Sequence, residues 1–233
     1  VIGYGIKGSI WYQGESNVPR AARYAAAFTR LIGDWRAHWG QPDLPFLYVQ
    51  LASFLPLATN SLAGSDWAEL RDAQRQVLEL RGTGMAVATD AGDANDIHPR
   101  NKRPVGERLA ALALRRVHGR PVVDSGPVLR SQRRAGGGIE LKFTPGSGGL
   151  ALRQGSTALQ GFAIAGADRR FVAAQAVLRG DRVQVWSEQV PQPQAVRYGW
   201  VHNPEQGNLV NRAGLPASPF RTDAWPLRTR DVK

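Results

Sequence analysis

Between Ile6 and His118 short apolar runs alternate with stretches of helical periodicity, and few architectures accommodate that order. Ile6 to Gln13 reads as a buried strand, with Ile6, Ile10, Trp11 and Tyr12 beside glycines. After Pro19, the segment Ala21 to Trp39 carries Tyr24, Phe28, Leu31, Ile32 and Trp35 at helical spacing. Pro45 to Leu51 is a second buried strand, followed by a polar loop over Thr59 to Asp66. Trp67 to Leu80 is helical, with Leu70, Ala73, Val77 and Leu80 on one face. Gly84 to Thr89 is a third strand, and Val105 to His118 a third helix. Strands separated by helices pair in parallel, because each crossover returns the chain to the same end of the sheet. The expected product is an α/β layer with helices on both faces.

After about Pro121 the pattern changes. Glycines at 136–138, Pro145-Gly146 and Gly148-Gly149 punctuate short runs such as Ile139 to Phe143 and Phe171 to Leu178. Arg182 to Trp186 and Ala195 to Trp200 alternate apolar and polar, as half-buried antiparallel strands do. The chain therefore divides into an α/β part, 1–120, and a β-rich region, 121–233, of ordinary domain size.

Composition narrows the function classes. The 233 residues supply ample core, and no run approaches the roughly 18 apolar residues of a membrane span. There is no cysteine, so disulfides and thiolate metal sites are out of reach. The net charge of +11 raises nucleic acid as a partner. The cations, though, are scattered pairs (Arg115-Arg116, Arg133-Arg134, Arg169-Arg170) rather than a stripe, so no nucleic-acid partner is expected. The sequence opens at Val1 without a leader, and the reading expects it to be the later part of something longer.

Two polar blocks follow strand ends, Gln13-Gly14-Glu15-Ser16-Asn17 and Asp96-Ile97-His98-Pro99. A strand-end polar turn with a later Asp/His pair is how an α/β serine esterase places an oxyanion donor and a general base. His98 is the best base, and Asp96 the acid that could accept its Nδ1 proton, in a tract that also holds Asp90, Asp93 and Asn95. The plainer reading is a surface histidine in an Asp-rich turn. A metal site from Asp93, Asp96 and His98 is a third reading, but zinc and calcium spacings are absent, so no metal or cofactor is expected. His38, His118 and His202 are read as structural.

The first block has three readings. Gly14-Glu15-Ser16 could be a nucleophile elbow presenting Ser16, although Val18 replaces the second glycine of that motif. Alternatively the Gln13 amide is an oxyanion donor, Gly14 permits close substrate approach and Glu15 orders the loop. In the third, Ser16 or Asn17 caps a helix N-terminus.

Three stretches in order resemble the sialate O-acetylesterase family, within the SGNH-type hydrolases. They are Ile6 to Asn17, Asp90 to Lys102 continued by Val105 to Ala110, and the β-region blocks Val196 to Trp200, Asn208 to Asn211 and Gly214 to Thr222. The resemblance implies a partial flavodoxin-like three-layer domain followed by a sandwich-like accessory region. It implies removal of O-acetyl groups from carbohydrates by a serine mechanism without a cofactor. His98 would be the base, Asp96 or Asp93 its acid, and Gln13 the oxyanion donor. Gly14, Glu15 and Asn17 would shape the pocket. The family's serine belongs to a block upstream of anything matching Ile6, so the resemblance implies a missing N-terminal segment of the same enzyme as partner. It also implies a periplasmic or extracellular location. Two rival readings remain: a self-contained esterase using Ser16, and a non-catalytic sugar-binding module with Trp186, Trp200 or Trp225 as stacking platforms.

Overall fold

The structure, a computed structural model, describes residues 2–57, 62, 64–144 and 148–232. Half of the loop expected over 59–66 (residues 59–61 and 63) lies outside the described residues, as does the Pro145-Gly146 turn. Strands β1 (Ser9–Trp11), β2 (Phe46–Gln50) and β3 (Thr83–Val87) form a parallel sheet in that order. Helices α1 (Ala21–Trp39), α2 (Asp66–Gln76) and α3 (Arg103–Arg116) cover it. The two-residue period of a strand assigns the faces. Phe46, Tyr48, Met85 and Val87 join the core made by Tyr24, Phe28 and Ile32 of α1 and Leu70 and Ala73 of α2. Leu47 and Ala86 point the other way, onto Leu112 of α3. The result is the three-layer α/β arrangement that the alternation implied.

Phe28 is the hub of the larger layer, with ring centroids 5.1 Å from Tyr48 and 5.7 Å from Phe46. Burying one such side chain contributes about 2–3 kcal/mol. Helix α1 stops at Gly40, whose φ of 62° closes the last turn in the left-handed region. Strand β1 is shorter than the run Ile6 to Gln13 suggested, because only Ser9 to Trp11 find partners on β2. Mid-strand Ile10 stays 70% exposed, since α3 packs on β2 and β3.

The second half is antiparallel throughout. Its strands are β4 (Leu129–Ala135), β5 (Gly138–Phe143), β6 (Leu150–Leu152), β7 (Phe162–Ala165), β8 (Phe171–Ala173), β9 (Gln175–Arg179), β10 (Arg182–Trp186), β11 (Ala195–Tyr198), β12 (Leu209–Asn211) and β13 (Phe220–Arg221). One sheet has the order β4-β5-β10-β9, the other β13-β11-β7-β8, with β12-β6 as a separate pair. Ile139, Leu141, Val183 and Val185 of the first sheet share a core with Phe162, Ile164, Val196 and Phe220 of the second. That is a sandwich. The run Phe171 to Leu178, expected as one segment, is two strands in different sheets, β8 and β9, with Ala174 at the crossing.

On the outer face of the first sheet, the Glu140 carboxylate accepts hydrogen bonds from Arg133 (2.6 Å) and Arg182. These guanidiniums hold its pKa at about 2 instead of the ordinary 4.5. A carboxyl depressed on folding stabilises the fold above its unfolded pKa, and that contribution disappears as pH falls through the folded value. Glu140→Gln is therefore expected to flatten the acid limb of the stability curve between pH 4.5 and about 2. Urea midpoints read across that range check it; the same acid sensitivity in the variant would contradict it.

Polar contacts join the two halves. Gln50 Nε2 donates to Ser218 Oγ (2.9 Å). The buried Glu69 carboxylate accepts from the backbone N–H groups of Arg228 (2.7 Å) and Thr229 (3.1 Å) and from the Thr229 hydroxyl (2.8 Å). The C-terminal segment is thereby returned to α2.

Candidate active site

In a parallel sheet the carboxyl ends of all strands share one edge, and the loops leaving there meet. Here they are 12–17 after β1, 51–57 after β2 and 88–102 after β3. The approach of the second to the third is very close. A Cβ on Gly92 would lie 2.0 Å from Ser53 O and 2.2 Å from Ser53 Oγ, and Phe54 and Asp93 form a β-bridge. Lys102 links the third to the first: its ammonium lies 5.6 Å from the Tyr12 ring centroid and donates to Pro99 O (2.6 Å). Gly92→Ala must push the two loops apart, so we expect a loss of about 1–3 kcal/mol in unfolding free energy. Thermal denaturation checks this, and an unchanged midpoint would show that the loops separate freely.

The first loop is tied down through Gln13. Gln13 Nε2 donates to Asn17 Oδ1 (2.7 Å), and the Tyr24 hydroxyl contacts both Gln13 O (3.0 Å) and Gln13 Oε1 (3.2 Å). Gln74 Nε2 reaches Gln13 O (3.3 Å) and Val49 O (3.2 Å), while its Oε1 accepts from Leu51 N–H (2.9 Å). The Gln13 amide thus has its oxygen and one N–H engaged, which leaves its second N–H to donate. Burial pushes the Tyr24 phenol up, with the Glu15 charge adding to the rise, so it remains a donor at neutral pH.

Gly14 adopts φ 152°, and a Cβ there would lie 3.0 Å from Leu70 and 3.4 Å from Leu51. Its close approach is to the core. Glu15 is half-buried, and its charge also raises the Tyr12 phenol after desolvation has done so. Ser16 is exposed on the 3-10 turn Glu15–Arg20, without a hydrogen-bond partner among the described residues. The helix-cap reading is corrected: Gly14 precedes that turn and Arg20 precedes α1, neither with a side-chain cap, and Asn17 Oδ1 is taken by Gln13.

The third loop is shaped by its own acids. Asp90 binds Arg108 through both oxygens (2.6 and 2.7 Å), and Arg108 also donates to Val87 O (2.6 Å). Asp93 Oδ1 accepts from Asn95 N–H and Asp96 Oδ1 from His98 N–H, each at 2.8 Å. These Asx turns hold the backbone and present the His98 imidazole to solvent. Asp96 thus meets the histidine through its main chain, and among the described residues no side chain hydrogen-bonds the ring. The other histidines bond backbone carbonyls or lie at a helix end: His38 on Asp34 O, His202 on Pro56 O, and His118 just past α3. Among the described residues no group of three His, Asp or Glu side chains could hold a metal ion, and no helix is long and apolar enough to cross a membrane.

One important residue escaped the sequence. Arg71 of α2 is fully buried, and its guanidinium donates to Leu51 O (2.8 Å), Ala52 O (2.6 Å), Val201 O (2.8 Å) and His202 O (2.8 Å). Burial pushes it down to about 9, still charged at neutral pH. It fastens the loop after β2 to the β-region. Its signal is indistinguishable from that of any helix arginine next to an apolar position.

Residues 2–115 match the model of a family described as carbohydrate esterase, sialic acid-specific acetylesterase. Over that stretch the chain is similar to this family. Sialate O-acetylesterase of Mus musculus is 38% identical over 122 residues, covering 45% of this chain and 22% of that protein. The Homo sapiens sialate O-acetylesterase is 34% identical over 122 residues, with 45% of this chain and 23% of that protein covered. A solved carbohydrate acetylesterase from Xanthomonas citri shares 47% identity with a TM-score of 0.90, covering 95% of this chain and 51% of that one. The chain spans under a quarter of the curated acetylesterases and about half of the solved one. The family block of residues 2–115 contains both polar loops and Arg71, and the structural likeness extends over the β-region as well.

Proposed function

We propose that this chain supplies the base and oxyanion side of a serine-type carbohydrate O-acetylesterase. The observation that carries the reading is that an oriented amide with a free N–H (Gln13) and an exposed imidazole (His98) sit on loops leaving the same sheet edge. In this reading a serine from outside residues 1–233 attacks the acetyl carbonyl, and His98 takes its proton. The second N–H of Gln13, aimed by Asn17 and Tyr24, holds the developing oxyanion. His98 then returns the proton to the departing sugar hydroxyl, and water hydrolyses the acetyl-enzyme by the reverse sequence. Asp96, with Oδ1 on the His98 backbone and Oδ2 still available, is the acid assigned to the imidazolium, and Asp93 its substitute. Gly14, Glu15 and Asn17 are assigned to shaping the pocket. In this account 1–120 is the esterase part, 121–233 the accessory region, and the protein works in the periplasm or outside the cell.

Ser16 is the weaker nucleophile candidate, because nothing among the described residues accepts its proton. Gln13→Ala tests the reading. In protein carrying the serine segment, acetate release from an acetylated saccharide should fall about a hundredfold to a thousandfold in kcat with KM nearly unchanged. A change confined to KM would remove Gln13 from the oxyanion site.

A further inference from the structure

Two adjoining cavities open on the β-region, and neither is lined by Gln13 or His98. One has a volume of about 580 Å³ and the other about 370 Å³, and they share Leu62 and Arg197 as lining. The larger has aromatic walls, Phe171 and Trp225, packed edge to face at 5.6 Å. Arg197 lies 4.1 Å from the Phe171 ring and is neutralised by the buried Asp223 carboxylate (2.9 and 3.1 Å). Its role there is architectural.

Arg169 and Arg170 at the rim differ. Both are exposed, and among the described residues neither guanidinium has a carboxylate partner. The nearby Asp168 uses Oδ1 to accept the backbone N–H of Arg170 (3.1 Å). Arg169 is held at φ 61°, a conformation rare outside glycine, by a turn in which its N–H meets Gly166 O (3.2 Å). That turn places its guanidinium 5.7 Å from the Trp225 ring. The smaller cavity adds the side-chain amides of Gln160 and Gln206, without hydrogen-bond partners among the described residues, beside the buried Trp200.

We propose that these cavities form one groove for a carboxylate-bearing saccharide. Aromatic faces suit the apolar faces of sugar rings, and free amides suit their hydroxyls. A pair of unpaired guanidiniums suits a carboxylate, which each can bind through two parallel hydrogen bonds. Leu57, which lines the smaller cavity, belongs to the loop whose Phe54 bridges Asp93. The proposal goes beyond the esterase reading and depends on no choice of nucleophile.

Calorimetric titration of the 233-residue chain with trigalacturonate, and with its neutral methyl ester, tests it. The acid should bind saturably and weaken with added salt, and the ester should bind at least about tenfold more weakly. Arg169→Gln/Arg170→Gln, altered only at exposed positions, should bind the acid no better than the ester. Trp225→Ala should weaken both sugars. No saturable binding of either, equal binding of acid and ester, or an unchanged double variant would overturn the proposal.

Discussion

Arg71→Leu is expected to lower the unfolding free energy by about 4 kcal/mol, a large share of the total for a domain of ordinary stability. The substitution keeps the apolar stem but removes the donors from four carbonyls, those of Leu51, Ala52, Val201 and His202. A buried acceptor left without a donor costs about 1–3 kcal/mol, and the four lie on two different segments, so no single rearrangement satisfies them. Arg71→Lys should recover only part of the loss, because one ammonium cannot reproduce a planar fork that reaches both segments. Urea denaturation gives both values. A loss under about 1 kcal/mol for the leucine variant would show that these carbonyls find water or other donors.

The second large effect concerns chemistry. In protein carrying the serine segment, His98→Ala should reduce acetate release by about a thousandfold while leaving the thermal midpoint unchanged. His98 is exposed, and its loop is held by bonds that do not use the imidazole: Arg108 on Asp90, Lys102 on Pro99, and Asp96 on the His98 backbone N–H. Removing the ring therefore subtracts the proposed proton acceptor and none of these bonds. Asp96→Asn separates two roles of the acid. An amide oxygen can still accept the backbone N–H and keep the turn, whereas the carboxylate charge proposed to steady the imidazolium is lost. Full activity in His98→Ala would assign the base elsewhere.

Which features were legible follows from how each is encoded. Strands β2 and β3 are buried on both faces, so their apolar runs announce them without tertiary information. The amphipathic face of α1 is equally plain, because Tyr24, Phe28 and Ile32 repeat at helical spacing. Helix α2 is different. Glu69, Arg71 and Gln74 are all buried, each satisfied by backbone atoms of other segments, and such partners are visible only in three dimensions. The same holds for Phe171 to Leu178, where a change of sheet at Ala174 leaves the pattern of residues continuous. At the candidate site, the block Gln13 to Asn17 and the Asp96/His98 pair stood out by residue type. The bond from Gln13 to Asn17 and the use of Asp96 on a backbone N–H depend on local turn geometry that residue types do not specify.

The account rests on a base in this chain and a serine outside it, and covalent labelling addresses both together. The chain alone, and the chain with the upstream segment supplied, are treated with a serine-directed phosphonate, and the adduct is mapped by mass spectrometry. The account predicts no adduct on the chain alone, and an adduct on a serine of the supplied segment that requires an intact His98. An adduct on Ser16 of the chain alone, dependent on His98, would contradict it.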